Sequence, residues 1–460
     1  MKLFGNSRTA AHVAKRGSKP VQTADTETAG EKKKKQPLRT LAIVLAVILV
    51  LEGLYFFCIY TNNSFVKKYR TSYIQTAMST MTHQWLATAF IPSDIINEVM
   101  TERGNAMGSQ IGKNSTWGSA ATVTPEDPET VSIDATLVQP EGNVHEVETE
   151  VLTQEEIDAM ERDAFYELFW ELDQSSMDAY VAAHPEVLAN GWSNIYINEA
   201  GFDDEGTDIY TTIMVEDAPE QVLAIDAKNG VLLLRMKGSG YRGVLAVAKD
   251  PARLSIEMCA NLGQQGELCG DIATDHGGIL SMTASGFLDP GGNGNGGQLA
   301  GYCMSNGTEY GHHFGAWAYK RIELHEDNLF YIKDALDPVG EGCTDATEFQ
   351  PALIVDGEIV VSDYWTDTNP RASIGQSDKY EILMICIEGR MPMEGCVGTD
   401  VNTISRILKK HNCMQAMNVD GGTSAMMWFD GEYVLRSSNA SLRYSGGRPL
   451  PNAFVYRPAE

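Results

Sequence analysis

Residues 41–60, LAIVLAVILVLEGLYFFCIY, are an apolar run broken by one charge, Glu52. About 20 apolar residues rising about 1.5 Å each cross a hydrocarbon core of roughly 30 Å, so the run constrains where the whole chain can reside. Tyr55 and Tyr60 fall toward its end, where amphipathic rings settle at a membrane interface. A carboxylate is costly in hydrocarbon, so Glu52 is expected to be protonated or turned toward a partner helix. A cleaved signal peptide would have a shorter apolar region, nearer the start and followed by small residues. This run starts only at Leu41 and leads into Thr61 and Asn62. An uncleaved transmembrane helix over 40–61 is therefore expected.

The segment before it holds Lys2, Arg8, Lys15, Arg16, Lys19, Lys32, Lys33, Lys34, Lys35 and Arg39 against Asp25, Glu27 and Glu31. Basic residues stay on the cytoplasmic side, which places a disordered tail (1–39) inside and the remainder outside the cell membrane. Lys67, Lys68 and Arg70 weaken this bias without reversing it. The chain as a whole carries a formal charge of −27, from 62 acidic and 35 basic residues. That balance disfavours nucleic acid, which is held by Lys and Arg displacing counterions. It suits a solvated ectodomain, with solubility as its simplest meaning. The 460 residues allow two or three domains, at about 100–200 residues each.

Beyond the span lie Cys259, Cys269, Cys303, Cys343, Cys386, Cys396 and Cys413. No CxxC spacing occurs, so neither a zinc knuckle nor a thioredoxin-like motif is indicated. Disulfides are permitted outside the cytoplasm, with Cys259/Cys269 and Cys386/Cys396 the nearest neighbours in sequence. An odd number leaves at least one thiol free, and a buried free thiol is the alternative for each.

Residues 64–190 read as a helical stalk or accessory region. Mixed three- and four-residue apolar spacing runs from Ser64, Pro92-Ser93-Asp94 restarts a helix, and Thr153 with Glu156 forms a capping-box pattern. Within it, 105–150 is rich in Gly, Ser, Thr, Pro and Glu and reads as a linker. From about 191 to 460 the pattern turns to short β-like runs: NIYIN, DIYTTIMV, QVLAIDA, VLLLRMK and RGVLAVA, then PALIVDG, EIVVSDYW, YEILMICIEG, CMQAMNVD, AMMWFDG and NAFVYRP. One helix interrupts them, from Thr399 to Lys410. The expected fold class is α+β, an N-terminal transmembrane helix and helical region followed by a β-rich mixed α/β domain.

Four stretches carry polar chemistry at strand ends. In 418–434, NVDGGTSAMMWFDGEYV, an apolar run ends in Asp420, and Gly421-Gly422-Thr423-Ser424 follows. Glycines let a ligand approach bare N–H groups and the two hydroxyls add donors, although Asp-Gly is equally a hairpin turn. Arg371 precedes Ala372-Ser373-Ile374-Gly375; a guanidinium can hold a phosphate by paired bonds or make a surface salt bridge. Glu388-Gly389-Arg390 closes another strand, as a polar pair or a plain turn. In 281–297, Ser285, Phe287 and Asp289 precede a glycine-rich loop, which is either a binding element or a mobile surface loop. No helix pattern follows those glycines, which sets nucleotide binding aside.

Taken together, TASGFLD (283–289), RASIG (371–375), EGR (388–390), NVDGGTSA (418–425) and RPLPNAFV (448–455) resemble, in order and approximate spacing, the motifs of the phosphodiester glycosidase family. Tyr241-Arg242-Gly243 with Asp250-Pro251 looks like that family's opening strand, so the resemblance covers 240–457. Three positions depart from the pattern: Ala284 for Asn, Glu388 for Asp and Thr423 for Gly. The resemblance implies a phosphodiester-glycosidase domain over 191–460 that hydrolyses a sugar-1-phosphodiester, such as a phosphoglycan of the cell surface or an exopolysaccharide. It implies Asp420, Arg371 and Glu388 as catalytic residues, with Arg371 on the phosphate and Asp420 as acid/base. Substrate-binding positions would be Ser285, Gly286, Phe287, Asp289, Gly375, Arg390, Gly421, Gly422, Thr423, Ser424 and Arg448. No cofactor is expected; Asp289 and nearby carbonyls could hold Ca²⁺, but no dense acidic loop of the D-x-D-x-D-G type occurs. The alternatives are a non-catalytic glycan-binding scaffold of polysaccharide assembly and a signalling or structural ectodomain using 64–184 for oligomerisation.

Overall fold

A computed structural model describes residues 37–117, 153–202, 205–315 and 319–460. The expected cytoplasmic tail and most of the linker lie outside these residues. The chain divides into two units at Phe57/Cys58.

The first unit carries most of the helix Pro37–Tyr60, of which Arg39–Tyr60 is long and apolar enough to cross a membrane. Its side chains are exposed on every face, as a helix with an all-round apolar surface demands of a lipid solvent.

In the second unit the chain enters a helix at Ser64–Met78, capped by Asn63 Oδ1 accepting from Phe65 N at 3.1 Å and Val66 N at 3.2 Å. A helix at Ser93–Gly108 starts after Pro92, which pre-sets φ and lacks the donor that a first turn leaves unused. Ile74, Ala77, Ala87, Ile91, Ile96 and Val99 pack these helices together. The expected capping box is present: Thr153 and Glu156 satisfy each other's backbone N–H groups at the start of Gln154–Leu168.

Among the described residues the body is three antiparallel sheets. The largest runs Tyr196–Asn198, Ala218–Asp226, Val231–Gly238, Tyr241–Ala248, Ile382–Ile387, Arg371–Ser377, Cys413–Val419, Ala352–Val355 and Glu358–Ile359, with Tyr210–Val215 on the side. Its central strands are apolar on both faces because both faces are covered. Ile382, Met384 and Cys386 pack with Ala246, Ala372 and Ile374 toward the other sheets. Leu383, Ile385 and Ile387 pack with Leu245 beneath Phe165, Phe169 and the Ile404, Ile407 and Leu408 face of helix Val401–Lys410. A second sheet is built on Lys320–His325 and Cys343–Phe349, and a third on Leu280–Thr283 and Asn452–Tyr456.

The mixed α+β class and the β-rich C-terminal part are as expected. The run EIVVSDYW is not one strand: pairing stops at Ile359. From Ser362 on, backbone groups bond instead to side chains of the helix Ser64–Met78 and to Asn402, which holds 362–369 as an ordered loop. All eight cysteines are free thiols, six of them buried, so the disulfide reading gives way to the small-hydrophobe reading.

Candidate functional site

Two strand ends meet at the site. Cys413–Val419 of the large sheet delivers Asp420, whose backbone N–H donates to Ala284 O at 3.2 Å just past the strand Leu280–Thr283. The chain then turns sharply under the next strand. Gly422 N donates to Pro370 O at 2.9 Å, and a Cβ on Gly421 would lie 2.8 Å from that same carbonyl. Gly422 has φ +61, a conformation glycine adopts without steric cost. Its missing Cβ would stand 3.3 Å from Nη1 and Nη2 of Arg390. The glycine pair is therefore a spacing device that brings Asp420, the start of strand Arg371–Ser377 and the Arg390 guanidinium together.

Asp420 and Arg390 are walled by protein on most sides and still reach solvent, the situation of groups lining a cleft. Burial pushes the Asp420 carboxyl up to about 6, against the hydrogen bond from Ser424 and the charge of Arg448. Arg390 lies within electrostatic reach of both Arg371 and Asp420. Among the described residues its side chain bonds Asn369, to which Nη2 donates at 3.0 Å. Its backbone is left-handed at φ +58, uncommon for a side chain of this size.

Arg371 is differently placed. It is buried, and its Nη2 binds Asp367 twice, at the carboxylate (2.9 Å) and at the carbonyl (2.8 Å). Burial opposes the charge on Asp367, but Arg371 and Arg103 outweigh it and hold the carboxyl below its usual range. The Asp367-Thr368-Asn369 loop thus orients two guanidiniums, Arg371 through Asp367 and Arg390 through Asn369.

Near Asp420, Arg448 forks onto Asp289 at 2.7 and 2.9 Å, donates to Thr423 Oγ1 at 3.3 Å and lies 4.4 Å from the Phe287 ring. The hydrogen bonds from Arg448, helped by the Gly294 N–H, hold Asp289 below the ordinary carboxylate range. A guanidinium therefore occupies the position a Ca²⁺ ion on Asp289 would need. Elsewhere among the described residues Glu323, His325 and Cys343 converge as metal-type ligands, but Arg321 and Lys333 already neutralise Glu323.

The structure brings together Asp420, Gly421, Gly422, Thr423, Ser424, Arg390, Arg448, Asp289 and Phe287, with Arg371 behind them. Ser285 lies beneath, buried, with its hydroxyl 2.7 Å from Thr347 Oγ1 and accepting from Asn452 at 2.9 Å. Gly286 packs on Phe349, and Gly375 lies inside its sheet, where a Cβ would meet Gln415 O at 2.6 Å. Glu388 is engaged by a separate set of partners. Arg242 and Arg436 both grip it, and Arg436 N donates to Oε1 at 2.7 Å. Burial nonetheless pushes its carboxyl up to about 7, against the pull of Arg242. Sequence reasoning missed Asp367, Asn369 and Arg103. Asp367 and Asn369 stand in the fragment Asp367-Thr368-Asn369-Pro370, and only their proximity to Arg371 hinted at them.

Residues 276–457 match the model of the phosphodiester glycosidase family, which bears out the resemblance carried by the five motifs. The match spans the segments that supply Asp289, Arg371, Arg390, Asp420 and Arg448. No curated protein matches the chain. Among solved structures it is similar to the zebrafish N-acetylglucosamine-1-phosphodiester alpha-N-acetylglucosaminidase catalytic domain auto-inhibited by its pro-peptide. That similarity has 17% identity and a TM-score of 0.42, covering 50% of this chain and 82% of the other. It is also similar to a hypothetical protein from Synechocystis, with 13% identity and a TM-score of 0.37, covering 52% and 64% of the two chains.

Proposed function

We propose that this chain is a membrane-anchored hydrolase, working outside the cytoplasm, that cleaves the bond between a sugar's anomeric carbon and the phosphate of a phosphodiester in a cell-surface glycan or exopolysaccharide. The observation that carries this reading is the family match over 276–457 falling on a cleft where a carboxylate raised to about 6 faces a solvent-reaching guanidinium.

In this reading Arg390 contacts the phosphate, and Arg371, already bound to Asp367, adds its field from behind. Asp420 faces the anomeric carbon. Phosphate is a good leaving group, so the main demands are charge stabilisation and a base for water. Water attacks the anomeric carbon, its proton passes to Asp420, and the carbon–oxygen bond to phosphate breaks. The products are a reducing sugar and a phosphate monoester whose new negative charge is met by Arg390. Gly421 and Gly422 keep the turn bare enough for the substrate's approach. Glu388 and Ser285 support the scaffold. The anchor and its orientation rest on the Arg39–Tyr60 helix and the basic segment before it.

The test is release of reducing sugar from a panel of sugar-1-phosphodiesters by the purified full chain in detergent. Asp420→Asn should lose at least about a hundredfold in rate. No release from any of the panel, or undiminished release by Asp420→Asn, overturns the reading.

A further inference from the structure

Two of the helices that follow the membrane span, Ser64–Met78 and Ser93–Gly108, lie outside the family-matched segment, yet they reach the site through side chains. Ser72 Oγ donates to Thr366 O at 2.8 Å. Gln75 clamps the same loop from both sides, donating to Tyr364 O and accepting from Thr366 N, each at 2.9 Å. Thr76 accepts from Thr368 N at 2.9 Å. The loop they hold is the one whose Asp367 and Asn369 orient the two cleft arginines.

Two relays emerge. Ser79, which ends the first helix, accepts from Asn369 Nδ2 at 2.9 Å, and Asn369 Oδ1 accepts from Arg390 at 3.0 Å. Arg103, on the second helix, lies 3.7 Å from the same Asp367 oxygen that binds Arg371, with its guanidinium 4.9 Å from the Trp365 ring. Gln75 is fully buried and Arg103 largely so, which makes these contacts part of a packed interior.

We propose that these helices are a working part of the anion site, with Ser79 and Arg103 as positioning residues for Arg390 and Arg371. The inference rests on the reading of the cleft as a phosphate site and adds what sets its geometry. Without Ser79 the Asn369 amide keeps only its bond to Asp367 Oδ2 at 3.0 Å, so the oxygen that Arg390 binds is held from one side instead of two. Removing Arg103 leaves Asp367 with a single guanidinium and Trp365 without its cation. Because side-chain bonds to charged groups are strong in such enclosed sites, small displacements are felt in anion affinity.

The experiment uses the full chain in detergent, with inorganic phosphate and dimethyl phosphate as probes, read by calorimetry, and sugar-1-phosphodiester turnover in parallel. Ser79→Ala and Arg103→Leu should each weaken phosphate binding about three- to tenfold. Arg103→Lys should recover part of the loss. In an Arg390→Ala background, Ser79→Ala should produce no further loss, because its effect passes through Arg390. Equal losses from Ser79→Ala in both backgrounds, or unchanged phosphate affinity with Tm alone lowered, would overturn the proposal. Wild-type chain that binds neither probe overturns it as well. Chain that binds phosphate through these relays but hydrolyses nothing supports it while sinking the hydrolase reading.

Discussion

Arg448 and Asp289 form a two-pronged ion pair, with Nη1 and Nη2 at 2.7 and 2.9 Å from the two carboxylate oxygens. The pair fixes a positive charge beside Asp420, whose carboxyl Arg448 pulls down from where burial alone would put it. Arg448→Met should therefore raise the Asp420 pKa above about 6. In a pH profile of kcat/KM, the limb set by Asp420 should move to higher pH, whether that residue acts as base or acid. A limb that stays in place would separate Arg448 from the electrostatics of Asp420.

Asp420 also links pH to stability. Its carboxyl titrates near 3.8 when unperturbed and about 6 in the fold. The neutral form is thus favoured by folding. That stability is fully present below the unfolded value and is lost as pH rises through about 6. Asp420→Asn removes the ionisation. It should stabilise the chain by on the order of 1 kcal/mol at pH 7.5, since partial exposure screens much of the dehydration. The gain should shrink toward pH 4, and thermal melts at both pH values would measure it.

Glu388 is predicted to act through the scaffold. Glu388→Ala leaves Arg242 and Arg436 without their shared carboxyl, a loss of about 2 kcal/mol, less than for a fully ionised buried pair because the carboxyl is pushed up to about 7 and Arg242 is partly exposed. The Tm should fall by several degrees, while the folded fraction keeps near-normal turnover. Loss of turnover at an unchanged Tm would instead put Glu388 in the chemistry.

Gly421 tests the spacing of the site. Its φ of −121 suits any residue, so Gly421→Ala acts only through the Cβ placed 2.8 Å from Pro370 O. Relief requires a shift of the backbone carrying Arg371. The variant should fold with a cost of about 1–3 kcal/mol. It should lose about tenfold in kcat/KM, because a small misplacement of charge is expensive in a preorganised site. Wild-type kinetics would show that the turn has slack.

Much is legible in the sequence itself. The apolar run at 41–60, the capping box at Thr153/Glu156, the helix ending at Lys410 and most of the strands are local patterns. Periodicity and caps act over a few residues and are read directly from them. The motifs around Asp289, Arg371, Arg390, Asp420 and Arg448 read as parts of one site, and the fold sets these five side chains near one another. Their individual environments were not readable. Arg371 and Arg390 look alike in sequence, yet one is locked by Asp367 and the other reaches solvent.

The residues by themselves determined which segments are apolar, where helices begin and which strands exist, because those outcomes depend on neighbours along the chain. Only the tertiary structure decided that Glu388 faces two arginines, that Ser285 is buried, and that Ser79 and Arg103 reach a loop more than 250 residues away. Burial and charge pairing depend on groups brought together by sheet order and register. No local pattern in one stretch of chain carries that information.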